Sequence, residues 1–190
     1  MTEKSVQTLD VVFVGNPNCG KTTLFNRLTG ESRAVGNYSG VTVDAAVGSF
    51  KRDGIDFHGV DLPGTYSLNS TSQDELVARN FLLEKGADVL VNVVDASNLE
   101  RNLFLTLQLK ELGIPLIIAL NMRDLAKSRG CVCDVEKLSQ ALDVPVIEVS
   151  GLTGAGLDLL IAALPQRATE LPKKEIDARL RFSAGLEREI

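Results

Sequence analysis

Tryptophan is absent from the 190 residues, histidine occurs once, and aromatic residues make up only 5%. Apolar residues still reach 44%, so a sizeable core must be aliphatic, as the cores of parallel sheets are. Cysteine is scarce and odd in number: Cys19, Cys131 and Cys133 build no even disulfide framework. The Cys131-x-Cys133 pair has no second Cys/His cluster nearby to complete a metal site, and reduced thiols are expected. Basic charge is also short. Twenty Lys and Arg face 25 Asp and Glu, giving a net charge of -5 and a pI near 5.0, which argues against a nucleic-acid-binding face. No apolar run reaches membrane-spanning length, and no charged-then-apolar signal opens the chain. A soluble, cytosolic chain is expected, with any membrane link made through a partner or through further chain. The length suits one domain and the stub of a second.

Strand-like and helix-like segments alternate. Apolar runs at Leu9–Val14, Val89–Val94, Leu116–Leu120 and Val144–Val149 read as buried strands. Asp44–Lys51 and Ile55–Asp61 flank Asp53-Gly54, a hairpin signal that adds one antiparallel edge strand. Helices are expected over Lys21–Thr29, from the Ser72-x-x-Glu75 capping box to about Glu84, and over Leu99–Leu112, Asp134–Leu142 and Leu157–Leu164. Gly86, Gly113 and Pro165 are read as stops. The pattern predicts an α/β fold of six mostly parallel strands, built from βαβ units. A domain over residues 1–170 is expected. Residues 171–190 are charged, with Leu180, Phe182, Leu186 and Ile190 near helical spacing, and read as the start of a further helical element.

Gly15-Asn16-Pro17-Asn18-Cys19-Gly20-Lys21-Thr22 fits G-x-x-x-x-G-K-[ST] between a strand and a helix, the context that gives the motif meaning. Glycines let backbone N–H groups turn inward as an anion nest, and the helix N-terminus adds a positive dipole end. Lys21 is expected to reach the β- and γ-phosphates of a nucleotide, and Thr22, followed by Thr23, to offer a hydroxyl to Mg²⁺. Asp61-Leu62-Pro63-Gly64 ends a strand. Asp61 is expected to hold the same metal through water, and the Gly64 N–H to sense the γ-phosphate. Thr42, in the loop after the first helix, can complete the metal shell, although the Ser39 hydroxyl is also available.

Asn121-Met122-Arg123-Asp124 follows a buried strand, at the sheet edge where α/β folds bind ligands. Asp124 can accept from guanine N1–H and its exocyclic amine, whereas adenine would leave the carboxylate unpaired. Asn121 is expected to tie this loop to the phosphate loop. Backbone N–H groups of Ser150-Gly151-Leu152 can meet guanine O6. A GTPase is therefore expected, with GTP and GDP as its ligands.

Hydrolysis needs an aligned water as well as charge neutralisation. Ras-like GTPases carry glutamine after D-x-x-G, but Thr65 stands here and is too short for that task. Slow turnover follows, helped by the loop around Arg33–Val43 or by a monovalent cation. Arg33 as an arginine finger is weighed against a solvated loop charge and set aside. His58, the sole histidine, alternates with Ile55 and Phe57 and reads as a surface strand residue.

The runs Gly15–Asn26, Gly36-Asn-Tyr-Ser-Gly-Val-Thr-Val43, Asp61-Leu-Pro-Gly-Thr-Tyr-Ser-Leu68, Val94-Asp-Ala-Ser-Asn-Leu-Glu-Arg-Asn102 and Ala119–Asp124 resemble the N-terminal G domain of the ferrous iron transport protein B (FeoB) family, TRAFAC-class P-loop GTPases. The resemblance implies a Ras-like fold with helices on both faces of the sheet. It implies that Thr42 is the switch threonine on Mg²⁺. It implies that Asn18 helps bind K⁺ beside the phosphates, with carbonyls near Gly36 and Tyr38 closing the site. It also implies a helical spacer and then a membrane-embedded Fe²⁺ permease domain, so that this domain would work at the cytoplasmic face of a bacterial inner membrane. Three departures stand out. Tyr38 replaces a common tryptophan. Cys19 replaces serine or alanine, adding a thiol beside the phosphates. Ser150-Gly151 replaces Ser-Ala, which is expected to loosen the guanine loop and speed GDP release.

Two other readings remain open at this point. One is a nucleotide switch whose hydrolysis is incidental. The other is a ribosome-assembly GTPase, which the acidic balance disfavours. Oligomeric state, a homo-oligomer included, is not encoded legibly.

Overall fold

The computed structural model describes residues 7–30, 34–35, 45–69 and 72–170. The expectations placed on Arg33, Gly36, Tyr38, Ser39 and Thr42, and on the element after Leu171, lie outside the described residues. Strand β1 (Gln7–Gly15) runs through a loop into helix α1 (Lys21–Thr29). Then follow β2 (Ala34–Val35), β3 (Ala46–Arg52), β4 (Ile55–Asp61), α2 (Gln73–Glu84) and β5 (Val89–Asp95). The chain continues through α3 (Leu99–Glu111), β6 (Leu116–Asn121), α4 (Arg123–Ser128), α5 (Val135–Leu142), β7 (Val146–Glu148) and α6 (Leu157–Glu170). No helix among the described residues is long and apolar enough to cross a membrane.

All the expected strands form, and the two-residue β2 is added to them, so the sheet runs β2-β3-β4-β1-β5-β6-β7. The antiparallel β3 is therefore not wholly an edge strand, because Ala34 and Val35 pair with Val47 and Ala46. Strand β1 pairs in parallel with β4 on one side and β5 on the other. The direction of winding changes at β1. Its following loop thus opens at a topological switch point, where open α/β sheets bind ligands.

Alternation along β1 builds both cores. Val12 and Val14 pack in one cluster with Phe81 and Leu82 of α2 and Leu105 and Leu109 of α3. Val11 and Phe13 pack in the other with Leu24 and Phe25 of α1 and Leu160 and Leu164 of α6. Neighbouring strand residues point to opposite faces, so helices cover both sides of the sheet. Every residue of β5 and β6 is accordingly buried, which explains why their runs are apolar apart from Asn92 and the strand-end Asp95 and Asn121.

Local signals act as expected at two boundaries. Asp53 and Gly54 take φ of 49° and 79°, the left-handed pair a two-residue hairpin needs. The Ser72 side chain accepts from the Glu75 N–H at 3.2 Å, capping α2. One expectation is corrected, and one element was missed. Pro165 does not close the last helix, which continues to Glu170. Proline costs an interior helix about 3 kcal/mol, but the next turn seats Ala168 against the apolar cluster and donates Arg167 Nε to the Leu116 carbonyl at 3.2 Å. Helix α4 was not foreseen, because six residues are too few to show a period.

A Cβ on Gly59 would lie 2.8 Å from Phe25 Cε2, and that fully buried ring stands edge-on to Phe13 at 5.4 Å. Gly59→Ala is expected to cost about 1–3 kcal/mol by overpacking, seen as a lower urea midpoint. An unchanged midpoint would mean that the ring has room to move.

Candidate functional site

The loop after β1 uses backbone conformations open to few residues. Asn18 and Gly20 take φ of 65° and 85°. A Cβ on Gly20 would lie 2.4 Å from Asn121 Nδ2, and one on Gly15 would lie 2.6 Å from the Val93 carbonyl oxygen. Both positions therefore demand glycine by contact, not only by propensity. The segment after β4 is laced to β1: Leu62 N–H donates to the Phe13 carbonyl at 3.1 Å, and Thr65 N–H to the Gly15 carbonyl at 3.0 Å.

These two segments bring the charged groups together. Lys21 is buried, and its Nζ donates to Asp61 Oδ1 and to the Leu62 carbonyl. Thr22 Oγ1 donates to Asp61 Oδ2 at 2.8 Å. The first turn of α1 thus places an ammonium and a hydroxyl on one carboxylate. Asn16, Pro17, Asn18, Gly20, Lys21, Thr22, Thr23 and Gly64 all line a single cleft of about 410 Å³. Gly64 closes tightly on the loop, since a Cβ there would lie 3.0 Å from Pro17 Cα. The buried Asn16 Oδ1 has no hydrogen-bond partner among the described residues, while its Nδ2 donates to the Arg101 carbonyl at 3.4 Å.

Cys19 departs from expectation. Its thiol is 1% exposed and packs in the apolar cluster of α1 and α6, not beside the phosphate cleft. The loop turns this side chain into the core, and a Cβ on Gly15 would lie 2.8 Å from Cys19 Sγ. Burial pushes the thiol up to about 11, outweighing the lowering by the backbone hydrogen bond at Lys21 and by its charge.

The second half of the site is held by one buried amide. Asn121 Nδ2 donates to the Cys19 carbonyl at 3.0 Å, and its Oδ1 accepts from Gly151 N–H at 3.2 Å. The loop after β6 is thereby tied to both the loop after β1 and the loop after β7. Met122 takes φ of 59° and starts α4. Arg123 turns to Glu148 at 2.7 Å and to the Cys133 carbonyl, while Asp124 is exposed in the first turn of α4. Ser150 Oγ accepts from Thr153 N–H at 3.1 Å, which folds 150–153 into a tight turn with Leu152 exposed.

Thr65 is buried and its hydroxyl donates to the Ser67 carbonyl at 2.6 Å, so it turns away from solvent. His58 is half exposed, with Nδ1 3.6 Å from Asp10 Oδ1, as a surface residue. Among the described residues no group of three or more His, Cys, Asp or Glu side chains is placed to hold a metal ion, Cys131 and Cys133 included. Asp74 lines the cleft and was not foreseen, because an acidic residue in a first helical turn reads as a partner for the helix dipole.

The thiols supply a chemical check. With its pKa raised, Cys19 stays protonated at pH 8, and it is also shielded. Iodoacetamide on the folded protein is expected to alkylate the exposed Cys131 and to spare Cys19, as read by peptide mass spectrometry. Rapid labelling of Cys19 would contradict the packing described here.

Comparison with known proteins agrees with this geometry. Residues 9–164 match the family model described as Ferrous iron transport protein B. The Fe(2+) transporter FeoB of Salmonella typhimurium (strain LT2) is 50% identical over 163 residues, covering 84% of this chain but only 21% of that protein. The FeoB G-domain from Methanococcus jannaschii superposes with a TM-score of 0.76 at 43% identity, covering 86% of this chain and 99% of that one. A variant of S. thermophilus NFeoB bound to GDP.AlF4- superposes with a TM-score of 0.74 at 46% identity, covering 86% of this chain and 64% of that one. The sheet order, the phosphate loop and the base loops have one common explanation: the chain belongs to the ferrous iron transport protein B family, FeoB, and its folded body is the G domain of that family.

Proposed function

We propose that this G domain binds GTP with Mg²⁺, hydrolyses it slowly with help from K⁺, and through its switch loops gates Fe²⁺ uptake by an attached membrane domain at the bacterial inner membrane. The observation that carries the reading is the convergence of Lys21, Thr22 and Asp61 at the start of α1, with Asn121 joining that loop to the base loops.

The donor set suits the ligands. Thr22 and Asp61 offer the hard oxygens that Mg²⁺ selects, and Thr42 is the family's third. Mg²⁺, when bound, neutralises phosphate charge. Lys21, now on Asp61, would turn to the β- and γ-phosphates, and backbone N–H groups from Asn18 to Thr23 would cradle them. Gly64 would report the γ-phosphate through its N–H. Asn18 lines the same cleft and is the proposed K⁺ ligand, with carbonyls of Gly36 and Tyr38; Asn16 Oδ1 is a further buried acceptor that has no hydrogen-bond partner among the described residues. K⁺, when bound, would supply the positive charge of an arginine finger. Asp124 selects guanine, and the Leu152 N–H would meet O6; the other two expected donors are engaged, Ser150 N–H on the Ala155 carbonyl at 2.9 Å and Gly151 N–H on Asn121 Oδ1 at 3.2 Å.

The inward hydroxyl of Thr65 supports slow turnover, since the residue after D-x-x-G has nothing to align water. The same observation favours a second reading, a nucleotide switch whose hydrolysis is incidental.

Phosphate release decides between them. GTP is expected to turn over and ATP not, faster in KCl than in NaCl, and Asn18→Ala is expected to erase the difference between salts. Equal rates in both salts would remove the K⁺ site, and fast GDP release with negligible turnover would favour the switch. Asp124→Ala is expected to weaken GTP binding by about tenfold or more, the scale of a lost charged hydrogen bond. Calorimetry showing the same affinity would refute the base assignment.

A further inference from the structure

The loop at 150–153 rests on a residue outside the nucleotide motifs. Arg27 stands in the last turn of α1, the helix whose first turn holds Lys21 and Thr22. Its Nε donates to the Gly151 carbonyl at 2.9 Å, and its Nη2 donates to the Leu152 carbonyl. The guanidinium is seated under Gly154, where φ is 86° and a Cβ would lie 3.2 Å from Nη1. Gly151 is therefore pinned on both sides: Asn121 holds its N–H and Arg27 its carbonyl.

The pinning matters because of what Gly151 lacks. Glycine has the most backbone freedom to lose, so a loop containing it drifts further from its bound geometry. A side chain would fit there: a Cβ on Gly151 would meet Leu24 N at 3.4 Å and Thr23 Cβ at 3.5 Å, ordinary contacts. The chain carries no such side chain, and an external clamp stands in its place. Two charge-assisted hydrogen bonds from one planar fork fix two successive peptide planes better than a single donor would.

We propose that Arg27 is a positioning residue for guanine recognition: it holds the 150–153 loop in its base-binding shape and so slows release of GDP. This rests on the nucleotide reading of the site. It also revises the expectation that Gly151 alone makes the loop loose. Helix α1 then joins the two halves of the site mechanically, gripping phosphates at its start and steadying the guanine loop at its end.

The test uses a fluorescent N-methylanthraniloyl GDP and stopped-flow dissociation on the full chain. Arg27→Met keeps the stem and removes every donor. It is expected to speed dissociation by about five- to tenfold, the scale of one or two lost hydrogen bonds, with association unchanged and only a small drop in the thermal midpoint. Arg27→Lys, which can satisfy one carbonyl, should fall between. Adding Gly151→Ala to Arg27→Met should slow release again, because a Cβ restores part of the missing restraint. Release from Arg27→Met at the wild-type rate would overturn the clamp while leaving the nucleotide site intact. So would faster release that Gly151→Ala does not slow, the mark of a merely structural arginine. If the wild-type chain binds no labelled GDP, the nucleotide reading fails and the clamp fails with it.

Discussion

The buried carboxamide of Asn121 is the interaction on which the site depends. It leaves the end of a central strand and satisfies one group on each of two other loops, the Cys19 carbonyl and the Gly151 N–H. A carboxamide is suited to this because it offers donors and an acceptor on one rigid plane. Gly20 is its sterically obligatory partner, since any Cβ there would collide with the amide nitrogen. The loops proposed to recognise phosphate and base, though far apart in sequence, are therefore held at a set spacing by one side chain.

The core supplies the stiffness behind that bracket. Helices α1 and α6 press on one face of the sheet, and α2 and α3 press on the other. Strand β1 lies between β4 and β5; its final glycine pairs with Val93 of β5 and accepts the Thr65 N–H on its carbonyl. Asp61 at the end of β4 meets Lys21 and Thr22 because the strands are in register, and the N–H groups of Leu62 and Thr65 return to β1 to keep them so. Charge in the cleft is thus a consequence of strand pairing. The apolar packing of Cys19 follows similarly. A loop that turns its amides toward the cleft sends this side chain into the core.

Much was legible without coordinates. The strand–glycine loop–helix order, the hairpin at Asp53-Gly54 and the cap at Ser72 are local signals, each decided by a few neighbouring residues. The Gly-Lys-Thr and Asn-x-x-Asp motifs are legible for the same reason, since their chemistry requires those residue types at those spacings. The end of α6 was misread because a local rule about Pro165 lost to contacts made by Arg167 and Ala168. Helix α4 escaped notice because one and a half turns carry no periodicity, and β2 because a two-residue strand exists only through its partner.

The amino-acid sequence by itself determined the α/β alternation, the glycine-rich loop, the proposed guanine-reading carboxylate and the family, because these rest on short-range pattern. Tertiary structure alone decided where Cys19 points, that Asp74 lines the cleft, and that Arg27 backs the guanine loop. The bonds of Arg27 alone join residues 125 positions apart. No local pattern encodes such a meeting, because it is set by the order in which the strands pair and by the helices packed across them.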